Sequence, residues 1–170
     1  IFRMSDRRVV VTGIGAITPV GKTAPDFWNG LVSGKSGARS IEHFDTTDYP
    51  TKFAAQIEDY DELNYFDRKE ARRLDKVCQY ALIAAKESLD DSGINLDKVD
   101  KDRVGVIVGT GIGGMLTFYD QSVALYKDGP RGVSPFFIPK MIPDMVAGQI
   151  SIKWGFKGPN FCAVSACATG

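Results

Sequence analysis

Apolar positions along the chain follow two rhythms, a β-branched run and a helical repeat. "RRVVVTGIG" carries β-branched residues from Val9 to Thr12, closed by Gly13 and Gly15. That is the pattern of a strand buried on both faces, and so of a parallel sheet covered by helices. Phe27, Trp28, Leu31 and Val32 then recur at helical spacing behind Pro25, with Gly34 as a stop, which predicts a short helix. Residues 38–66 are irregular, with "KFAAQI" at 52–57 as a short edge strand. One long helix is predicted from Asp67 to Ser92, because Ala71, Leu74, Cys78, Ala81, Leu82, Ala85 and Leu89 repeat at helical steps before "DSG" ends it.

"RVGVIVGTGIGG" gives a second strand, Val104–Val108, that runs into four glycines within six positions. A helix over 115–127, the turn "DGPRG", a loop "SPFFIP" and a helix over 144–154 come next, and "PNFCAVSAC" makes a third strand. Strand, helix, strand, helix, strand favours a right-handed α/β unit with a parallel sheet. At 170 residues the chain suits a single core.

Charge narrows the partners. Lys plus Arg equals Asp plus Glu at 21 each, so no global basic field would hold a nucleic acid and any charged partner must meet a local patch. No apolar run approaches the ~18 residues that span a bilayer, and the N-terminus lacks the apolar core of a secretion signal, which reads as a soluble, cytoplasmic protein without a membrane partner. Three cysteines, Cys78, Cys162 and Cys167, with the single histidine His43, make neither a disulfide scaffold nor a zinc site. "IFR" before Met4 reads as carry-over from an upstream reading frame, and residues 1–6 are set apart from the fold.

Three features carry candidate chemistry. Gly109, Gly111 and Gly114 spell G-x-G-x-x-G between a strand and a helix, the context of a dinucleotide fingerprint. The acidic residue expected about 20 residues on would fall in the "KDGPRG" turn with no strand before it. The alternative is that the glycines let the backbone pass close to another segment or a substrate. Arg68, Lys69, Arg72, Arg73 and Lys76 form a cationic face on the long helix, either an ordinary solvated face with Asp67, Glu70 and Asp75 interleaved, or a docking site to which Arg131 adds. Cys78 and Cys162 read as buried hydrophobes and His43 as a surface residue. Cys167 stands where a strand ends and small residues permit a turn into a helix, whose dipole and free N–H groups would activate a thiol and stabilise an oxyanion. One more buried cysteine is the alternative.

"RRVVVTGIGAITPVG", "GTGIGG", "SPFFIPKMIPDMVAGQIS", "GPN" and "SACATG" together resemble the N-terminal half of the β-ketoacyl-[acyl-carrier-protein] synthase family, nearest the type II enzyme of bacterial fatty acid synthesis. The resemblance runs from Arg7 to Gly170 and makes residues 7–170 an N-terminal ketoacyl synthase domain cut just after its nucleophile. It implies an α/β, thiolase-like fold, five α-β-α-β-α layers in the complete protein, and a homodimer. Cys167 then matches the cysteine that accepts an acyl chain from acyl carrier protein. Malonyl carrier protein loses carbon dioxide, and its carbanion attacks that thioester to give a 3-oxoacyl product, with no cofactor.

The resemblance also implies that Ile112 borders the acyl tunnel, that Phe137 and Ile138 lie at its end, and that Lys69, Arg72, Arg73 and Arg131 receive the acidic carrier protein. Its catalytic histidines, lysine and gating phenylalanine would lie beyond the cysteine, so the chain alone is expected to be inactive, a fragment with one sheet-covering face uncovered. A polyketide ketosynthase, a non-catalytic carrier-binding fragment and a nucleotide-binding oxidoreductase are the competing readings.

Overall fold

A computed structural model describes residues 8–169. The predicted first helix forms as α1, Ala24–Val32, where the Thr23 hydroxyl accepts from the Asp26 N–H and Pro25 occupies the first turn. Its apolar stripe is turned outward: Trp28, Leu31 and Val32 are exposed and Gly30 is the buried residue. The expected edge strand is β2, Phe53–Ala55, paired antiparallel with β1, Ala38–Ser40.

The single long helix expected over 67–92 is two helices, α2 (Arg68–Arg73) and α3 (Lys76–Ser92). Leu74 between them is extended, with ψ 136°. Asp75 is the reason. Its Oδ1 accepts from the Val77 N–H and starts α3, while Oδ2 accepts from the N–H and hydroxyl of Thr117, a geometry closed to a residue inside a continuous helix. Leu74 and Cys78 are both buried, so the apolar spacing runs on across a break in the backbone. The Gln79 amide donates to the carbonyls of Ala71 and Leu74, satisfying groups that the end of α2 leaves unpaired.

The second and third strands are β3 (Val106–Gly109) and, after α4 (Met115–Asp128), α5 (Phe137–Met141) and α6 (Met145–Trp154), β4 (Asn160–Ala163). The expected "SPFFIP" loop thus contains a short helix. Pro139 is tolerated there because it sits in the first turn, where its missing N–H has no intrahelical acceptor. β3 and β4 pair in parallel, from Val106 opposite Asn160 to Gly109 opposite Ala163. α3 and α6 close over one face, and Cys78, Leu82, Ile83, Val106, Val146 and Ile150 form the centre of the core.

The other sheet face is open. Ile107 and Phe161, opposite each other across the ladder, are 64% and 52% exposed. The strand predicted over Val9–Thr12 is not formed; this stretch has no ladder partner among the described residues, and Val9 is 95% exposed. The next few residues dock on α3 instead, as the N–H groups of Ile14 and Ala16 donate to the carboxylates of Asp91 and Glu87, and the Ser88 hydroxyl donates to the Gly13 carbonyl.

Val146 is only 1% exposed, so Val146→Ala should cost about 2 kcal/mol of unfolding free energy by urea titration. Val32→Ala on the open face of α1 should stay within about 0.5 kcal/mol.

Candidate active site

Parallel pairing puts the C-terminal ends of β3 and β4 side by side, and the Thr110 N–H extends the ladder to the Ala163 carbonyl. Two loops leave this edge, the glycine-rich loop 109–114 and the segment Val164–Thr169 that carries Cys167. Cys167 is exposed, in the 3₁₀ turn Ala166–Thr169. Ala166 just before it has φ +51°, in the left-handed region that a non-glycine residue enters only when its surroundings hold it. The hold is visible: the Ala168 N–H donates to the Ser165 carbonyl, and the Ser165 N–H to the Thr169 hydroxyl at 2.8 Å. The described residues provide the tight turn that the small residues predict.

The glycine-rich loop packs directly against this turn. A Cβ on Gly109 would lie 2.5 Å from Cγ2 and 2.8 Å from the carbonyl oxygen of Thr169, so only glycine permits the approach. At the other end of the loop, a Cβ on Gly114 would collide with the Lys140 carbonyl and lie 3.0 Å from Asp75 Oδ2. The amides that a pyrophosphate would need are already in use: Gly114 N–H bonds Met141 O, Met115 N–H bonds Gly113 O, and Thr117 N–H bonds Asp75. A carboxylate therefore occupies the helix start where an anion would bind, and the dinucleotide reading is set aside.

Ile112 lies at the tip of the loop, beside a small cavity of about 160 Å³ that it lines with Gly114, Met115, Phe118 and Met141. Phe137 is half-buried, its ring 6.4 Å from that of Phe118, so Ile112 and Phe137 are gathered around one aromatic residue of α4. Ile138 is exposed on α5 and does not line the cavity.

Lys69, Arg72 and Arg73 are exposed on α2, with Arg68 beside them and Lys76 displaced onto α3. The interleaved acids do not neutralise them. Asp67 accepts from the N–H groups of Glu70 and Lys69, bonds that hold its carboxyl below the usual carboxylate range. Glu70 pairs with Lys153 at 2.7 Å, and Asp75 is turned inward. Among the described residues, Lys69, Arg72, Arg73 and Arg131 enter no ion pair. The Arg73 guanidinium rests 5.1 Å above the Phe136 ring, beside a groove between α2 and α5 that Lys69 also lines. Arg131 is exposed in the turn beyond the far end of α4, an end about 17 Å along the helix from Thr117, and stands apart from this cluster.

The other two cysteines and the histidine lie outside the Cys167 turn. Cys78 is buried, and its thiol is pushed up to about 11, first by loss of water and then by the charge of Asp75. Cys162 is half-buried within β4, and His43 is exposed in the loop before β2. No group of three His, Cys, Asp or Glu able to hold a metal occurs among the described residues, and none of their helices is long and apolar enough to cross a membrane. Sequence reasoning missed Asp75 and Thr117. Aspartate inside an apolar helical repeat is a weak sign of a cap, since its side chain competes for backbone N–H groups.

Comparison with solved structures defines the class. The chain superposes on the ishigamide ketosynthase/chain length factor with a TM-score of 0.82 at 25% identity, over 93% of this chain and 40% of that one. A type II polyketide synthase acyl-carrier protein in complex with its ketosynthase, bound to the hexaketide, gives 0.74 at 28% identity over 89% and 40%. The fold is the thiolase-like fold of ketosynthases. More narrowly, residues 6–170 match the model "Beta-ketoacyl synthase, N-terminal domain", and the chain belongs to the β-ketoacyl synthase family. It is 47% identical to 3-oxoacyl-[acyl-carrier-protein] synthase 2 of Vibrio harveyi over 98% of its own length, and spans 40% of the length of that curated relative.

Iodoacetamide at pH 8 should alkylate Cys167 in the folded protein and leave Cys78 unmodified until the protein is unfolded, as peptide mass mapping would read out. Native-state labelling of Cys78 at a comparable rate would contradict its burial.

Proposed function

We propose that the chain is the nucleophile-bearing part of a 3-oxoacyl-[acyl-carrier-protein] synthase, an acyltransferase of fatty acid elongation that works as a cytoplasmic homodimer. The observation that carries the reading is the placement of Cys167: exposed on a turn with a left-handed lead-in, at the shared end of two parallel strands, against the loop that bears Ile112. A sulfur held there is open to attack the carbonyl of an acyl thioester. The carbon–sulfur bond to the carrier breaks, the carrier thiol leaves, and the acyl group stays on Cys167. A malonyl thioester then loses carbon dioxide, and its carbanion attacks the Cys167 thioester, forming a carbon–carbon bond and releasing the cysteine sulfur.

In this reading the cavity beside Ile112 takes part of the acyl chain, with Phe137 behind Phe118 limiting its depth and Ile138 facing outward toward a second subunit. Lys69, Arg72 and Arg73 meet the acidic carrier protein, and Arg131 offers it a separate contact beyond the end of α4. Unpaired cations act chiefly on encounter rate and orientation. Condensation belongs to the complete protein, because the chain spans 40% of its relatives' length. The open sheet face at Ile107 and Phe161 supports this, as it is suited to burial against further chain. A polyketide ketosynthase is the second reading, favoured by the polyketide ketosynthase to which the structure is similar.

Incubating the intact protein with an acyl carrier protein charged with a medium-length chain should add one acyl mass, and Cys167→Ala should abolish the adduct; an adduct on the variant would overturn the assignment. Release of a product one condensation longer identifies the elongation enzyme, whereas a chain extended repeatedly without reduction identifies the polyketide enzyme.

Reversing Lys69, Arg72 and Arg73 together to Glu should raise KM for the acyl carrier protein roughly tenfold or more at low salt, and less at high salt. Turnover of a carrier-free acyl thioester should change less than about twofold.

A further inference from the structure

α4 starts without a cap of its own. Its N-cap residue is Gly114, which has no side chain to offer, and a side chain there would strike the Lys140 carbonyl. The missing acceptor comes from another element. Asp75 is 6% exposed; its Oδ2 takes both the N–H and the hydroxyl of Thr117, while its Oδ1 caps α3 through the Val77 N–H. One buried carboxylate thus lies between the positive ends of two helices, which offset the cost of burying it.

A cap supplied within α4 would stabilise that helix alone. A cap supplied from α3 also fixes where α4 begins relative to the core. The cavity wall depends on this point: Ile112, Gly114 and Met115 come from the loop and first helical residue that Asp75 secures, and they face Phe118 and Met141. Because Leu74 alone separates Asp75 from α2, the same carboxylate joins the cationic helix to the cavity wall.

We propose that Asp75 is a positioning residue for acyl-chain selection, setting the width of the cavity through Thr117 and the glycine-rich loop. This rests on the reading that the cavity receives the acyl chain. Asp75 touches no substrate in it. It acts by denying the loop the freedom to move away from Phe118 and Met141, so that a chain of the wrong length meets a fixed wall.

The test is Asp75→Asn in the intact protein, with Thr117→Val and Thr117→Ser beside it in case the first variant folds poorly. Hydrogen exchange read by mass spectrometry should speed about tenfold in residues 110–118 while β3, β4 and the second half of α3 stay protected. The ratio of kcat/KM between a preferred and a longer acyl carrier substrate should fall about fivefold or more. Thr117→Val should shift both readouts in the same direction, and Thr117→Ser, which keeps the hydroxyl, should restore them. Faster exchange spread over every element would overturn the proposal by making Asp75 a general stabiliser. Local loosening with an unchanged acyl ratio would overturn it by separating the loop from selection. A wild-type protein that takes no acyl group refutes the functional reading and the selectivity claim with it, while the exchange pattern still decides whether Asp75 holds the loop.

Discussion

Parallel pairing of β3 with β4 governs where chemistry can be assembled in this molecule. Parallel strands end at the same edge of a sheet, so a ladder closing at Gly109 and Ala163 must bring the two chain segments beyond it together. One is the glycine-rich loop, the other the cysteine turn. Their contact is tight enough that Thr169 fills the space where a side chain on Gly109 would be, and the ladder is anchored below by a core from α3 and α6. Cys167, cavity and sheet edge thus share one frame. Ligand sites in open α/β sheets commonly occupy this edge, because it is where strands release their loops without disturbing the core.

Charge is organised by the same economy of partners. The acids of the α2 region are all committed to backbone or distant side chains: Asp67 caps α2, Glu70 pairs across to Lys153, and Asp75 faces inward to two helices. Their cationic neighbours are left to solvent. Residues 67–76 hold five cations against three acids and therefore present a surface more positive than that count alone gives, with Arg73 steadied over Phe136. Net charge counted along a sequence says little about the field outside a fold, since what matters is which charges are compensated within hydrogen-bond reach.

Much of the architecture can be read from local pattern. α1, α4, α6 and the two paired strands arise from apolar spacing, Pro25 and the glycine stops, because burial on one face and backbone capping are written in neighbouring residues. Two departures came from interactions remote in sequence. The break between α2 and α3 depends on Thr117, 42 residues beyond Asp75, while the apolar repeat on either side remains in phase. The run from Val9 to Val11 has the composition of a buried strand but has no ladder partner among the described residues, since a strand is defined by its neighbour and not by its own propensity.

The candidate site divides the same way. Cys167, the glycine-rich loop and the cations of α2 stand out as candidates from residue type and order, since exposed thiols, tight backbone approaches and charged faces each require particular residues. Tertiary structure decided how they are used. It brought Ile112 and Phe137 around Phe118, left Ile138 and Arg131 apart from them, filled the apparent nucleotide cradle with Asp75, and turned the faces of α1 and of the sheet outward. Sequence determines which groups are available and which local conformations they favour. Which groups meet, and which surfaces remain without a partner, depends on contacts between distant segments that exist only once the chain is packed.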